Sequence, residues 1–305
     1  MFTRNVEQAQ LLELDGCILI CRSFENTTSE GRSGCPDHDE REELRIHTVR
    51  VPFRVADIAA IGVYDVSVAG GKPVVLLLHG SGTSKESGLA AAGALASLGY
   101  YAVAFDAFGF GESPHVGRFL TDPMDIFRIY RETSGYINRL IRYLTQVPDA
   151  DATRVGLIGF SMGAHTIYHY LAYEAADVVR AAVAVCGSPR WDNVVRRLIL
   201  SMEQFARLRG EETVRSYEAR VASFHPLLRL SSAGSRTPLL ALAGERDALI
   251  PVDDLRAFFG RLRQGSAEPE RHRLIVYPEV GHTLTEDMFA AGIDWLRRHL
   301  RAGGI

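Results

Sequence analysis

Three residues in the sequence have the types and the order that nucleophilic catalysis requires. Ser161 stands in Gly-Phe-Ser-Met-Gly, with a glycine two residues away on each side. Asp247 follows an apolar run in "LALAGERDALIP", and His282 follows the next one in "LIVYPEVGHTLTEDM". A serine becomes a nucleophile when a histidine accepts its proton and a carboxylate fixes the tautomer of that histidine. We therefore interpret Ser161 as the nucleophile, His282 as its base and Asp247 as the acid.

Each of the three residues has a simpler interpretation when it is taken alone. Ser161 could cap the helix that follows it, Asp247 could be an ordinary loop or cap acid, and His282 could be a surface histidine. The pentapeptide around Ser161 is too common to decide by itself. The joint arrangement favours catalysis, because all three follow the carboxyl ends of predicted parallel strands, where open α/β sheets build their sites.

The elements that must position these residues alternate between strand and helix. Two stretches that alternate in polarity, "RIHTVRVPF" and "IGVYDVSV", come first and predict an antiparallel pair with one wet face. Continuous apolar runs follow, as in parallel strands covered on both faces, at 72–80, 100–109, 154–160, 181–187, 238–244 and 272–278. Helices are predicted over 84–98, 123–146, 162–175, 253–264 and 285–301. The pattern predicts an α/β fold with a mostly parallel central sheet flanked by helices.

Residues 188–230 interrupt this alternation, because the connection that contains them is far longer than usual. Their apolar positions recur at helical spacing, which predicts two or three helices. We expect these helices to form a cap inserted over the site, dividing the core into residues 45–187 and 231–305. Such a cap would line the substrate site, with plain packing against the core as the alternative for each lining residue. The candidate lining residues are Leu198, Leu200 and Phe205.

Residues 1–44 predict an N-terminal extension of unknown role. Within it, "ENTTSEGRSGCPDHDEREELR" is polar and charged, which is typical of a loop. Four side chains could be zinc ligands, namely Cys17, Cys21, Cys35 and His38. Their spacing lacks the paired two-residue gaps of most structural zinc sites, and "GCILICRSF" is typical of a short apolar strand. We therefore expect no metal site here.

The composition narrows the partners that the protein could have. The chain has 305 residues and a formal net charge of −3, so neither sign dominates, which argues against nucleic acid or an anionic membrane. The sequence contains no apolar run of about 18 residues, which a membrane span requires. The N-terminus lacks a basic start followed by an apolar stretch and a cleavage site. We therefore expect a cytoplasmic protein whose partner is a small molecule.

Taken together, the motifs resemble the α/β-hydrolase superfamily over residues 45–305. The histidine segment and the closing helix further resemble small serine esterases of the dienelactone-hydrolase and prolyl-oligopeptidase type. One departure is Ala164, where many members have a second glycine, and it should affect helix packing more than chemistry. The motifs that carry the resemblance are the Ser161 pentapeptide, "LLLHGSG" (76–82), "FDAFGFGES" (105–113), "GERDALIP" (244–251) and "EVGHT" (279–283).

The resemblance implies a serine hydrolase that acts on a carboxylic ester or a related acyl compound without cofactor or metal. In this family two backbone N–H groups form the oxyanion hole, and they correspond here to Ser81 and Met162, with Gly82 as the second choice. We interpret His79 as a residue that orients its loop, with action as a base as the alternative, because His282 already fits the role of the base. The same triad would also serve a thioesterase or an acyltransferase, with a carrier protein as a possible partner. A catalytically silent binding protein is the remaining alternative.

Overall fold

The structure is a computed structural model that describes residues 9–14, 17–22, 48–114 and 122–300, apart from residues 202, 223 and 234. Its strands are β1 (Ala9–Leu14), β2 (Cys17–Arg22), β3 (Thr48–Val55), β4 (Ile58–Asp65), β5 (Lys72–Leu78), β6 (Tyr101–Phe105), β7 (Ala150–Phe160), β8 (Val179–Val185), β9 (Leu239–Gly244) and β10 (His272–Tyr277). Its α-helices are α1 (Leu89–Ser97), α2 (Asp125–Leu144), α3 (Met162–Tyr173), α4 (Trp191–Ser201), α5 (Glu211–Ala222), α6 (Pro226–Ala233), α7 (Val252–Gln264) and α8 (Glu286–Leu300).

Eight of these strands form one sheet, in the order β10-β9-β8-β7-β5-β6-β4-β3. The six strands from β5 to β10 run parallel to one another, whereas β3 and β4 pair antiparallel, and β4 also runs antiparallel to β6. The predicted fold class is therefore confirmed. Because the parallel strands all end at the same edge, the segments that follow β5, β7, β8, β9 and β10 meet there.

Helices cover both faces of the sheet, which is why the central strands are apolar on both sides. On one face α1 and α8 pack through residues such as Leu95 and Leu296. On the other face α2, α3 and α7 pack through residues such as Ile137, Ile167 and Phe258. Within the described part of the chain, every helix is too short or too polar to cross a bilayer.

The antiparallel pair differs from its predicted pattern of one wet face. β3 is the edge strand and has only half-buried and exposed positions, but β4 is buried along most of its length. The reason is its position in the sheet: β4 is flanked by β3 and β6, and α1 packs against it. β1 and β2 form a separate antiparallel pair. The cysteine side chains of β2, together with Cys35 and His38, lie outside the described residues.

The segment between β8 and β9 is helical along most of its described length. It contains α4, a 3-10 helix at Glu203–Leu208, α5 and α6, so the last helix continues three residues past the predicted boundary at 230. Trp191, at the start of α4, packs its ring 5.1 Å from that of Phe127 in α2. Arg190 forms an ion pair with Asp254 of α7. The segment is thus attached to the core at its beginning, and its action as a cap stays a prediction.

Candidate active site

Ser161 occupies the turn between β7 and α3, with backbone angles of φ 50° and ψ −108°. A non-glycine residue with positive φ is strained, and such strain is concentrated at functional sites. The flanking glycines make the turn possible. A Cβ atom at Gly159 would lie 2.5 Å from the backbone of Gly163, and one at Gly163 would overlap the carbonyl oxygen of Leu78. Close backbone packing at this turn, which we call the elbow, therefore requires the glycines of the Gly-x-Ser-x-Gly pattern.

The structure brings together the three residues that the sequence singled out. His282 Nε2 lies 2.8 Å from Ser161 Oγ, and His282 Nδ1 lies 2.8 Å from Asp247 Oδ2. In the tautomer that satisfies both contacts, Nδ1–H donates to the carboxylate and Nε2 accepts from the serine hydroxyl. This chain of two hydrogen bonds is the geometry that a nucleophile, a base and an orienting acid require.

Asp247 is held in a turn that keeps its carboxylate ionised. Its Oδ1 accepts hydrogen bonds from the N–H groups of Leu249 and Ile250, both at 2.9 Å, while Oδ2 faces His282. Burial by itself would raise the pKa of Asp247, but the hydrogen bonds from His282 and from the two N–H groups outweigh burial, so the pKa is lowered. A charged carboxylate can stabilise the imidazolium that forms during catalysis.

Close packing of two loops brings Asp247 and His282 together. The N–H of Arg246 donates to the carbonyl of Val280 over 2.9 Å, joining the loop after β9 to the loop after β10. A Cβ atom at Gly244 would overlap the carbonyl oxygens of Val280 and Gly281. Glycine at the end of β9 therefore allows the two loops to touch.

Cys186 is a residue of the site whose position the sequence analysis did not predict. It follows β8 with φ 51°, and its thiol donates to the carbonyl of Thr283, next to His282, over 3.4 Å. Burial raises the pKa of this thiol to about 12, so it stays protonated. Among the described residues, Cys186, Asp247 and His282 each offer one atom that could bind a metal ion. These three atoms lie within 4.8 Å of one another. Asp247 and His282 are already hydrogen-bonded to each other. The available signal was the position of Cys186 at the end of a predicted parallel strand.

The predicted oxyanion segments lie beside the elbow. Met162 is the first residue of α3, where backbone N–H groups have no partner within the helix. The loop after β5 approaches the same place, because a Cβ atom at Gly80 would lie 3.0 Å from the ring of Phe160. Ser81 and Gly82 are exposed there, and Gly82 has φ 78°.

His79 uses both ring nitrogens within its own loop region. Nδ1 lies 2.8 Å from the carbonyl oxygen of Gly80, and Nε2 accepts the N–H of Ala107 over 3.0 Å. Burial lowers its pKa. These contacts hold the loop after β5 against the loop after β6, whereas the histidine in contact with Ser161 is His282.

The two histidines of α3 are packed in the interior. His165 Nδ1 lies 2.9 Å from the carbonyl oxygen of Ser188, and His169 Nδ1 lies 2.8 Å from Ser134 Oγ. Burial lowers the pKa of each to about 4. Both are therefore neutral at pH 7 and belong to the packing around α3.

The three candidate lining residues lie in different environments. Phe205 is 1% exposed and belongs to the main hydrophobic core, Leu198 is half-buried against that core, and Leu200 is 45% exposed. Packing explains the position of Phe205. The role of all three in substrate binding stays a prediction.

The two neighbouring arginines of α4 have different partners. Arg196 forms ion pairs with Glu211 and Glu218 of α5. Arg197 donates to the carbonyl of Ala248, the residue after Asp247, over 2.6 Å.

The chain belongs to the Alpha/beta hydrolase family, whose profile matches residues 75–302. The protein is therefore a hydrolase, as the sequence motifs predicted. The match includes all three residues of the hydrogen-bonded chain and begins inside β5, just before the predicted oxyanion loop.

Two kinds of relative support this assignment. The Bacillus subtilis (strain 168) protein named "Putative esterase YitV" is 25% identical over 235 residues, which cover 75% of this chain and 89% of that protein. Two crystal structures share the fold. TT1662 from Thermus thermophilus has a TM-score of 0.64 and 24% identity, covering 84% of this chain and 99% of that chain. A protein of Klebsiella pneumoniae titled "Putative Dienelactone Hydrolase" has a TM-score of 0.60 and 18% identity, covering 83% and 99%.

Proposed function

We propose that this hydrolase cleaves carboxylic esters or related acyl compounds through an acyl-enzyme intermediate on Ser161. The observation that carries the proposal is the hydrogen-bonded chain from Ser161 Oγ through His282 to Asp247, placed at a strained elbow. The name of the Bacillus subtilis relative supports an ester as the substrate.

The first half of the reaction forms the acyl-enzyme. Ser161 Oγ attacks the carbonyl carbon while its proton passes to His282 Nε2, and Asp247 stabilises the resulting imidazolium. The negative charge that develops on the carbonyl oxygen is held by the N–H groups of Ser81 and Met162. The intermediate then collapses, the carbon–oxygen bond to the alcohol breaks, and His282 returns the proton to the leaving oxygen.

The second half of the reaction releases the acid. A water molecule takes the place of the alcohol, gives its proton to His282 Nε2 and attacks the acyl carbon. A second tetrahedral intermediate forms in the same oxyanion hole and breaks down with return of the proton to Ser161. These steps use groups of the chain and water only.

A panel of substrates tests the reaction class. We expect hydrolysis of simple esters, with a rapid release of one equivalent of alcohol per enzyme when deacylation is slow. The panel should include thioesters, free and attached to a carrier protein, and should be repeated with added alcohol or amine acceptors. Faster turnover of thioesters or preferential transfer to an acceptor would identify a thioesterase or an acyltransferase. Binding of esters without any turnover would favour the silent receptor and contradict the proposal.

A further inference from the structure

Lys85 is buried in the loop that follows β5, although lysine is rare in this chain. The sequence has two lysines, Lys72 and Lys85, and Lys85 is 4% exposed. Its ammonium group contacts three carboxylates, at 2.9 Å from Glu86, 3.0 Å from Asp106 and 2.6 Å from Glu112. Burial would lower the pKa of this lysine, but the three carboxylates raise it well above its ordinary value. Lys85 is therefore a fixed positive charge.

Asp106, which follows β6, joins the loops on either side of this charge. Its Oδ1 accepts the backbone N–H of Lys85 at 2.8 Å, and its Oδ2 accepts the N–H of Glu112 at 2.8 Å as well as the lysine ammonium. The loop after β6 wraps closely around this carboxylate, since a Cβ atom at Gly111, where φ is 54°, would overlap it. The Asp106 carboxylate thus accepts three hydrogen bonds, and two of them come from the backbone and the side chain of Lys85.

These contacts, together with those of His79, hold both ends of the short loop over residues 79–85, which follows β5. At its beginning, His79 Nε2 accepts the N–H of Ala107. At its end, Lys85 binds Asp106, the residue before Ala107. Ser81 lies between these two ends and is exposed, so its own side chain does not anchor the loop in the interior.

We infer that Lys85 is a positioning residue, which holds the loop so that the Ser81 N–H lies where the oxyanion of the reaction forms. The inference rests on the proposed function, because it assigns the Ser81 N–H to the oxyanion hole. Lys85 itself touches no reacting atom. Oxyanion donors act through fixed geometry, so loosening this loop should weaken transition-state binding while ground-state binding of the substrate is retained.

The test replaces the ion pair without leaving one charge buried alone, in the double variant Lys85→Met/Asp106→Asn. We expect kcat and kcat/KM for an ester to fall at least about tenfold with an unchanged KM, since loss of an oxyanion donor lowers kcat by about 100-fold or more. The affinity for a trifluoromethyl ketone, which forms a hemiketal oxyanion on the nucleophile, should fall by the same factor as kcat/KM.

Lys72→Met is the matched control. Lys72 is the other buried lysine, lies at the opposite end of β5, and pairs with Asp149. This variant should lower the melting temperature but keep the wild-type kcat and ketone affinity. If it lowers kcat as much as the double variant does, general loss of stability explains both and the inference is wrong.

Two milder variants decide the question if the double variant does not fold. Lys85→Arg keeps the charge and should retain more activity than the double variant or Lys85→Met. Glu112→Gln removes one carboxylate that is largely exposed and should cause a smaller fall in kcat with the same unchanged KM. Wild-type kcat and ketone affinity in all folded variants would overturn the inference. Covalent labelling of Ser161 in the wild-type enzyme tests the proposed function separately, so the two failures are distinguishable.

Discussion

At the scale of single residues, the site depends on the tautomer of His282. In the tautomer that satisfies both contacts, the carboxylate of Asp247 accepts a hydrogen bond from Nδ1–H, which leaves Nε2 to accept one from the Ser161 hydroxyl. Two backbone N–H groups hold this carboxylate in place, so its orientation does not depend on the histidine alone.

Asp247→Asn should therefore keep the fold and lose the chemistry. An amide in this position favours the wrong tautomer of His282, and we expect kcat to fall by about 10⁴-fold. Ester turnover and the circular dichroism spectrum of the variant provide the measurement. Activity close to the wild-type value in a folded variant would mean that a different acid orients the histidine.

The buried histidines of α3 make stability depend on pH. The pKa values of His165 and His169 are lowered to about 4 in the folded protein, below about 6.5 in an unfolded chain. Between these values the unfolded chain binds more protons than the native protein. The free energy of unfolding should therefore fall as the pH falls from about 6.5 towards 4, by up to about 1.4 kcal/mol per pH unit for each histidine.

Urea denaturation at pH 6.5 and pH 5.0 measures this effect in a range in which ordinary carboxylates stay mostly ionised. Other buried histidines contribute to the total, so the comparison with His165→Gln isolates one of them. The free energy of unfolding should depend less on pH in the variant than in the wild type. The difference corresponds to the uptake of up to one proton on unfolding. An identical dependence in both proteins would show that His165 is protonated as easily in the folded state as in the unfolded chain.

At the scale of elements, the elbow between β7 and α3 tolerates no side chain at its glycines. Gly163→Ala should lower the free energy of unfolding by about 1–3 kcal/mol, because the new methyl group would overlap the Leu78 carbonyl and force β5 and α3 apart. It should also reduce ester turnover, since Ser161 moves with the turn. Urea denaturation and initial rates provide the two measurements.

Gly260→Ala is the matched control for this prediction. Gly260 lies within α7, and a Cβ atom at this position would have no neighbour from outside its own helix within 4 Å. Alanine should therefore stabilise the protein by about 0.5–1 kcal/mol and leave turnover unchanged. If both glycine variants have the same stability, close packing does not explain the Gly-x-Ser-x-Gly pattern here.

The order of strands and helices and the positions of Ser161, Asp247 and His282 at strand ends could be predicted from the sequence, because buried parallel strands leave continuous apolar runs. The burial of β4 could not, since it depends on which elements pack against that strand. The same limit applies to Cys186, which contacts Thr283 from 97 residues away, and to Lys85 and Asp106, which belong to different loops. The contact partners of these residues are set by how the loops meet, and local sequence patterns do not identify such partners even where, as for Cys186, they place a residue at a strand end.

At the scale of the whole molecule, the helical segment between β8 and β9 is expected to act as a cap that sets substrate preference. Replacing residues 188–230 with a short Gly/Ser linker should preserve labelling of Ser161 by a fluorophosphonate. Relative kcat/KM values across esters of different size should change, because a cap acts through substrate fit and water exclusion.

The contacts of the segment with the core make a folding control necessary. Trp191 packs on Phe127, and Arg190 pairs with Asp254, so the shortened protein exposes part of the core surface. Its circular dichroism spectrum and Ser161 labelling should match the wild type before its substrate preferences are compared. Unchanged preferences in a folded, labelled protein would show that the segment is a structural addition.

The proposed function requires Ser161 to be the covalent nucleophile, and intact-mass spectrometry after fluorophosphonate treatment measures whether this claim holds. We predict one adduct per chain in the wild type and none in Ser161→Ala, while Ser97→Ala, a control serine at the end of α1, labels like the wild type. An adduct of equal yield in Ser161→Ala, or no adduct in active wild-type enzyme, would contradict the claim.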